Sequence, residues 1–417
     1  MQGLCAAKPM PVSSRRRHCL ALSLKAVATL SLTSVADPFL RALPCLFQSF
    51  FWGGFECATH RRTDGSRVDV TRDSAHDVHA RKDYQLLADA GVRTARDGLR
   101  WHLIEQRAGE YDWSSFVPML EAAAETGMQV IWDLCHWGVP DGLDPFSDAF
   151  PQRFARYAAA AAVVVRAHKQ ERGDGTPALY CPVNEISFWA WAGGDLTYIA
   201  PYGNGRGGEL KRRLVQAAVA ATRAVREVDP TARFIQCEPL IHISADARRP
   251  QDADAARRYT GAEYEAWDMI AGRRDRELGG DESLLDVLGV NYYWNNQWVH
   301  EGERTPPGHP LHRPLHLLLE DVWQRYHRPL VITETGVEGE AAAGWIGYVC
   351  AEVRAARRRG VPVLGVCVYP VMDYPGWDDA RYCPCGLIAV DAGWERRALR
   401  SGLCAEIAAQ EMLMQQD

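Results

Sequence analysis

The chain carries no excess of positive charge: 47 Lys and Arg residues are outweighed by 53 Asp and Glu, leaving a net charge of -6. Without a basic footprint it has no electrostatic means of tracking a phosphate backbone, and nucleic acid is not expected among its partners. It lacks an unbroken apolar run of the roughly 20 residues needed to span a bilayer. The nearest approach, residues 19–36, is interrupted by Lys25. Short repeats and low-complexity tracts are absent, and 47% hydrophobic with 24% charged residues sets aside disordered and fibrous chains. The 12 cysteines do not form a dense framework. Cys57, Cys135, Cys181, Cys237, Cys350 and Cys367 stand singly in apolar runs and read as small buried hydrophobes of a reducing compartment. Cys383 and Cys385 flank Pro384 with no second Cys/His pair at zinc spacing, so no metal centre is expected. The glycine-rich stretch 203–208 does not directly follow a strand-like run and misses the dinucleotide fingerprint, so it reads as a loop and no cofactor is expected.

What is present is alternation. Strand-like runs at 50–56, 94–101, 129–135, 178–184, 233–238, 285–293, 330–334 and 362–369 are separated by amphipathic stretches of helical length. Among the latter are 79–90, 116–126, 152–168, 210–228 and 344–359, with a last helix expected over 395–412. Such alternation argues for parallel strands with crossover helices. Eight units in one run fit a single (β/α)8 TIM barrel, an α/β fold, over residues 49–417. Residues 1–48 form an N-terminal extension. Its Arg15-Arg16-Arg17 followed by an apolar stretch to Ala36 has the outline of a secretory signal. The cysteine usage points instead to the cytoplasm. No stable membrane span is expected, and the sequence sets no oligomeric state.

In this fold the reactive groups stand where strands end. The fourth strand closes on Asn184-Glu185 and the seventh on Glu334, and Arg96 lies on the second. Two carboxylates leaving apolar strands at one face are costly unless paired or used. Glycosidic cleavage uses such a pair: one acid protonates the leaving oxygen, and at a gap of about 5 Å the other attacks carbon with retention. Glu185 is expected to be the acid/base, its proton held by a raised pKa, and Glu334 the nucleophile, kept ionised by Arg96 and a phenol, Tyr293. The substrate is expected to be a carbohydrate or glycoside. His76 and His79, beside Asp77, read as a solvated, charged helix start.

At these residues the chain resembles the retaining β-glucosidase-like glycoside hydrolases of family 1, over about residues 50–391. Phe50-Phe51-Trp52-Gly53 is similar to that family's opening F-x-W-G, and Gly91-Val92, Arg96 and Trp101 keep the spacing of its second-strand segment. His136-Trp137-Gly138-Val139-Pro140 resembles H-W-D-L-P, and Asn184-Glu185-Ile186 resembles N-E-P. Gly289 to Tyr293 is similar to G-I-N-Y-Y, and Ile332 to Gly336 to I-T-E-N-G. The resemblance implies that Asn184 binds the sugar 2-hydroxyl, that His136 binds a neighbouring hydroxyl, and that Asn291 positions the site. His60 stands where the family has a sugar-binding glutamine. Tyr369 replaces a tryptophan and Gly376 a sugar-gripping glutamate, while Trp137 and Trp377 remain candidates for stacking on the sugar. The altered grip argues for a glycoside other than a plain β-glucoside. A transglycosidase, a clan-related endo-glycanase and a non-catalytic carbohydrate-binding protein are the competing readings. A metal-dependent barrel hydrolase fits poorly, because His60 stands alone where a His-x-His pair is required.

Overall fold

The computed structural model describes residues 46–416. The extension expected over 1–48, with its signal-like stretch, lies outside the described residues except for its last three. Eight parallel strands close into a barrel. They are β1 (Phe51–Gly54), β2 (Thr94–Gly98), β3 (Gln129–Asp133), β4 (Leu179–Cys181), β5 (Arg233–Pro239), β6 (Val287–Asn291), β7 (Leu330–Thr335) and β8 (Val363–Val368). Each pairs with its sequence neighbours, and β1 closes the ring against β8 through Phe51↔Val366, Trp52↔Cys367 and Gly53↔Val368. The fold is a TIM barrel, as the alternation predicts.

Helices shield the outer face because one side of each is apolar at helical spacing. In Gly207–Val228 the buried stripe is Leu210, Leu214, Ala217, Ala218, Ala221 and Val225, while Arg223 and Glu227 face water. In Phe150–Glu171 it is Phe154, Ala158, Ala161 and Val165. Among the described residues no helix is long and apolar enough to cross a membrane.

The barrel interior is a separate core. Trp52, Ile131, Leu179, Ile235, Val287 and Val331 fill its middle, and Leu46 and Phe47 pack against this cluster. Toward the C-terminal ends of the strands the fill becomes small, with Cys181, Cys237 and Cys367. Gly289 belongs to this region: a Cβ there would lie 2.8 Å from Cys237 Sγ and 2.7 Å from the Thr333 side chain. Small residues leave room for one large polar group, the fully buried Arg96. All nine cysteines of the described region are free thiols, eight of them buried.

Two expectations are corrected. Residues 395–399 are not helical: Arg397–Leu399 forms a ribbon with Ile388–Val390, and the last helix runs Ser401–Met414. His76 is not a solvated helix end. It is 1% exposed, with Nδ1 2.8 Å from Asp83 Oδ2 and Nε2 2.8 Å from Asp97 Oδ2, and Phe55 stacks on its ring. Burial opposes a charge on the imidazole, but Asp97 and Asp83 overcome it and raise its pKa to about 9. The folded value lies above the unfolded one, so this stabilisation is complete below about pH 6.5 and is lost as pH rises through about 9. Thermal melts between pH 6 and 10 are expected to show a loss on the order of 3 kcal/mol in the wild type. That decline should be absent from His76→Gln; parallel profiles would contradict the assignment.

Candidate active site

The local backbone aims the side chains before their chemistry matters. Strand β7 carries an irregularity: Val290↔Ile332 is followed by Asn291↔Glu334, so one extra residue is accommodated near Thr333. A bulge of this kind re-aims the next side chain, here Glu334, at the barrel mouth. Glu185 has φ 44° and Trp137 φ 64°, a left-handed conformation that costs non-glycine residues about 1–3 kcal/mol each. The Glu185 N–H nevertheless donates to the Cys237 carbonyl at 3.1 Å, which pins the turn to β5.

Arg96 organises the polar floor. Its Nε and Nη2 donate to the two oxygens of Asp133 at 2.9 and 2.7 Å, forming a fork with the carboxylate. Nη1 donates to Glu334 Oε1 at 2.7 Å, and Nη2 also donates to Asn184 Oδ1 at 2.7 Å. The hydroxyl of Tyr293 donates to Glu334 Oε2 at 2.9 Å. Both oxygens of Glu334 therefore face donors, and the two groups expected around it, Arg96 and Tyr293, supply them. Burial opposes the charge on Arg96 but Asp133 outweighs it, so the guanidinium pKa rises well above normal; by the same pairing Asp133 is held below the usual carboxylate range.

Glu185 is in the opposite condition. It is 8% exposed, and Asn291 Nδ2 donates to its Oε1 at 2.9 Å. The amide is oriented by Thr333, whose hydroxyl donates to Asn291 Oδ1 at 2.7 Å. Burial, then the charge of Glu334, then that of Glu238 raise the Glu185 pKa well above the usual carboxylate value. Glu238 ends β5 and accepts the Ser187 N–H at 3.0 Å, just past the Glu185 turn. Burial lifts its own pKa to about 7.

The residues expected to bind substrate form two groups. Asn184 Nδ2 lies 3.0 Å from His136 Nε2. Arg96 holds the Asn184 carbonyl oxygen, so the amide presents its N–H to that nitrogen. His136 thus accepts at Nε2 and carries its proton on Nδ1, 3.2 Å from Asp133 Oδ2. Further out, His60, Trp137, Phe188 and Trp377 make an aromatic cluster, with Trp137 and Trp377 centroids 5.4 Å apart and His60 against both. Trp137 ties the two groups together through its indole N–H on the Asn184 main-chain carbonyl at 3.1 Å. Burial lowers the His60 pKa to about 3, so the ring is neutral, and neither ring nitrogen has a hydrogen-bond partner. Tyr369 lies over Arg96 at 5.5 Å with its hydroxyl unpartnered, and a Cβ at Gly54 would come within 2.2 Å of its ring. Arg62 braces the Gly376-Trp377 turn by donating to both carbonyls.

Asp133, Glu238, Phe188 and Glu56 were not expected here. Glu56, just beyond β1, has Oε1 3.7 Å from His136 Nε2. Asp133 and Glu238 sit at strand ends as Glu185 and Glu334 do, and that position is the signal that marks them. Cys57, Asp133 and His136 place ligand atoms within 4.8 Å of one another, a spacing that could hold a metal ion. The Arg96 fork on both Asp133 oxygens argues against one, since a cation there would face a guanidinium.

No protein-family model matches the chain, and no curated protein sequence matches it. Solved structures do. An enzyme named AHE from Alicyclobacillus herbarius is similar at TM-score 0.70 and 19% identity, covering 87% of this chain and 98% of that one. A β-glucosidase from Thermotoga maritima in complex with glucoimidazole is similar at TM-score 0.70 and 16% identity, with the same coverage. The family 1 β-glucosidase from Thermotoga maritima gives TM-score 0.68 at 16% identity, again over 87% and 98%. At these identities the likeness is one of fold: the chain has a β-glucosidase-like TIM barrel.

Proposed function

We propose that the chain is a retaining β-glycosidase in which Glu334 is the nucleophile and Glu185 the acid/base. The observation that carries the reading is the contrast between the two carboxylates. Glu334 has a guanidinium on one oxygen and a phenol on the other, two donors that hold and aim it as a nucleophile requires. Glu185 has one amide contact and a strongly raised pKa, the setting of a carboxyl kept protonated for donation. Two carboxylates in such different surroundings mark an acid/nucleophile division of labour.

In the first step a Glu334 oxygen bonds to the anomeric carbon as the bond to the leaving oxygen breaks. That oxygen takes the Glu185 proton, leaving a glycosyl ester on Glu334 and a carboxylate at Glu185. In the second step Glu185 takes a proton from water, whose oxygen displaces Glu334 from the anomeric carbon. Hydrolysis with net retention results, and both carboxyl groups return to their starting states. A sugar or alcohol acceptor in place of water gives transfer by the same route.

The test is a panel of aryl β-glycosides with Glu185→Ala. For leaving groups that need protonation, kcat/KM is expected to fall by about 10²–10⁴-fold. For a dinitrophenyl glycoside, the first step should stay near wild type. Because Glu185 must hold a proton in the first step, wild-type kcat/KM falls as pH rises through its raised pKa. This alkaline limb should vanish in the variant with the activated substrate. Equal losses on both leaving-group classes in a folded variant would remove the acid role from Glu185.

A further inference from the structure

Glu56 is a buried carboxylate whose surroundings do not account for it. It follows β1, is 8% exposed, and its Oε1 accepts the Ala58 N–H at 2.9 Å. No donor within the described residues meets Oε2. Buried acids elsewhere in the barrel differ in this respect: Glu105 and Asp373 are saturated by the protein, whereas Glu263 has a donor on Oε2 only. Glu105 takes the Trp101 indole N–H on one oxygen, and the Gly109 N–H and Arg153 on the other. Asp373 takes Arg400 on both oxygens, together with Tyr382, Gly386 and Val390. A buried carboxylate with one donor costs stability unless a ligand completes its bonding.

Its position says what that ligand offers. Glu56 lies beside His136, whose ring stacks over Tyr369 at 6.4 Å, and the Tyr369 hydroxyl is likewise unpartnered. The groups gathered here are a carboxylate acceptor, a phenol and an imidazole, the complement of adjacent sugar hydroxyls. A ligand carboxylate would fare badly. Glu56 and Glu334 both oppose it, and the Arg96 guanidinium already holds Asp133, Asn184 and Glu334.

We infer that Glu56 is a specificity-determining residue of the sugar pocket, gripping hydroxyl groups of a neutral glycone on its His136 side. The inference rests on the glycosidase reading and deepens it.

The experiment compares wild type, Glu56→Ala and the isosteric Glu56→Gln on aryl β-glycosides of the best sugar and on its monodeoxy analogues. Glu56→Gln guards against a folding failure of the alanine variant, and a melting curve accompanies each. Both substitutions are expected to lower kcat/KM about 10–100-fold on the full sugar. Removing the gripped hydroxyl should cost the wild type a similar factor but cost the variants little, while deoxygenation elsewhere should cost all three alike. An aryl β-glucuronide should be a poor substrate. Equal losses from every deoxygenation in wild type and variants, or a preference for the glucuronide, would overturn the role of Glu56 while leaving a working glycosidase. A wild type that turns over no glycoside in the panel would overturn both readings together.

Discussion

Glu334→Ala is expected to lower turnover of every accepted glycoside by at least about 10⁴-fold while the protein stays folded. The size of the loss follows from the proposed role: on that reading no covalent glycosyl intermediate forms without the carboxylate, and the remaining donors have nothing to position. The fold should survive because Arg96 keeps its fork on Asp133 and its bond to Asn184. The substitution also leaves space where the carboxylate stood. Formate added to the variant should occupy that space, attack the anomeric carbon and restore part of the turnover, giving a product of inverted configuration. Steady-state kinetics with and without formate check this. Turnover within tenfold of wild type would show that another group does the attacking.

Arg96→Met is expected to cost about 3–5 kcal/mol of stability at neutral pH, together with nearly all activity. Arg96 is fully buried and bonded to Asp133, Glu334 and Asn184. Removing its charge strands two carboxylates at the barrel mouth and frees the Asn184 amide that orients His136. The pH dependence has a definite sign. Asp133 has a folded pKa held below its unfolded value, so its contribution in the wild type exists above about pH 4 and is lost as pH falls through the folded value. In the variant the unpaired carboxylates take up protons more readily, so the gap in stability should narrow as the solution is acidified. Denaturant melts of both proteins between pH 4 and 8 measure it. A constant gap would place the cost in lost packing instead of lost charge pairing.

The barrel was legible because most of its strands are short runs that hold Val, Ile, Leu or Cys, set between stretches with one apolar face at helical spacing. The same pattern locates the strand ends, and with them Asn184, Glu185 and Glu334. What the pattern hides is how those ends turn. The bulge near Thr333 and the left-handed backbone at Glu185 follow from register against neighbouring strands, which no local window contains. Asp133 and Glu238 also stand at strand ends and Glu56 just past one, and that position was the one signal that marked them. Their significance appears only when Arg96, His136 and Ser187 are beside them. The burial of His76 depends on Asp97, 21 residues away, and on Asp83, whose own partner Arg397 lies near the other end of the chain. A charged stretch at a helix start looks solvated until such distant partners are supplied. The segment 395–399 was misassigned for a related reason, since its pairing with Ile388–Val390 is a property of two segments and not of one.

The central claim is that Glu334 becomes covalently glycosylated in each catalytic cycle. The direct measurement is intact-protein and peptide mass spectrometry after incubation with a 2-deoxy-2-fluoro aryl β-glycoside carrying a reactive leaving group. Fluorine at that position slows the second step more than an activated first step, so the intermediate accumulates. One glycosyl unit per chain, located on Glu334 and absent from Glu334→Ala, is the predicted result. An adduct on Glu185 or Glu56, or none on an enzyme that turns over the parent glycoside, would contradict it.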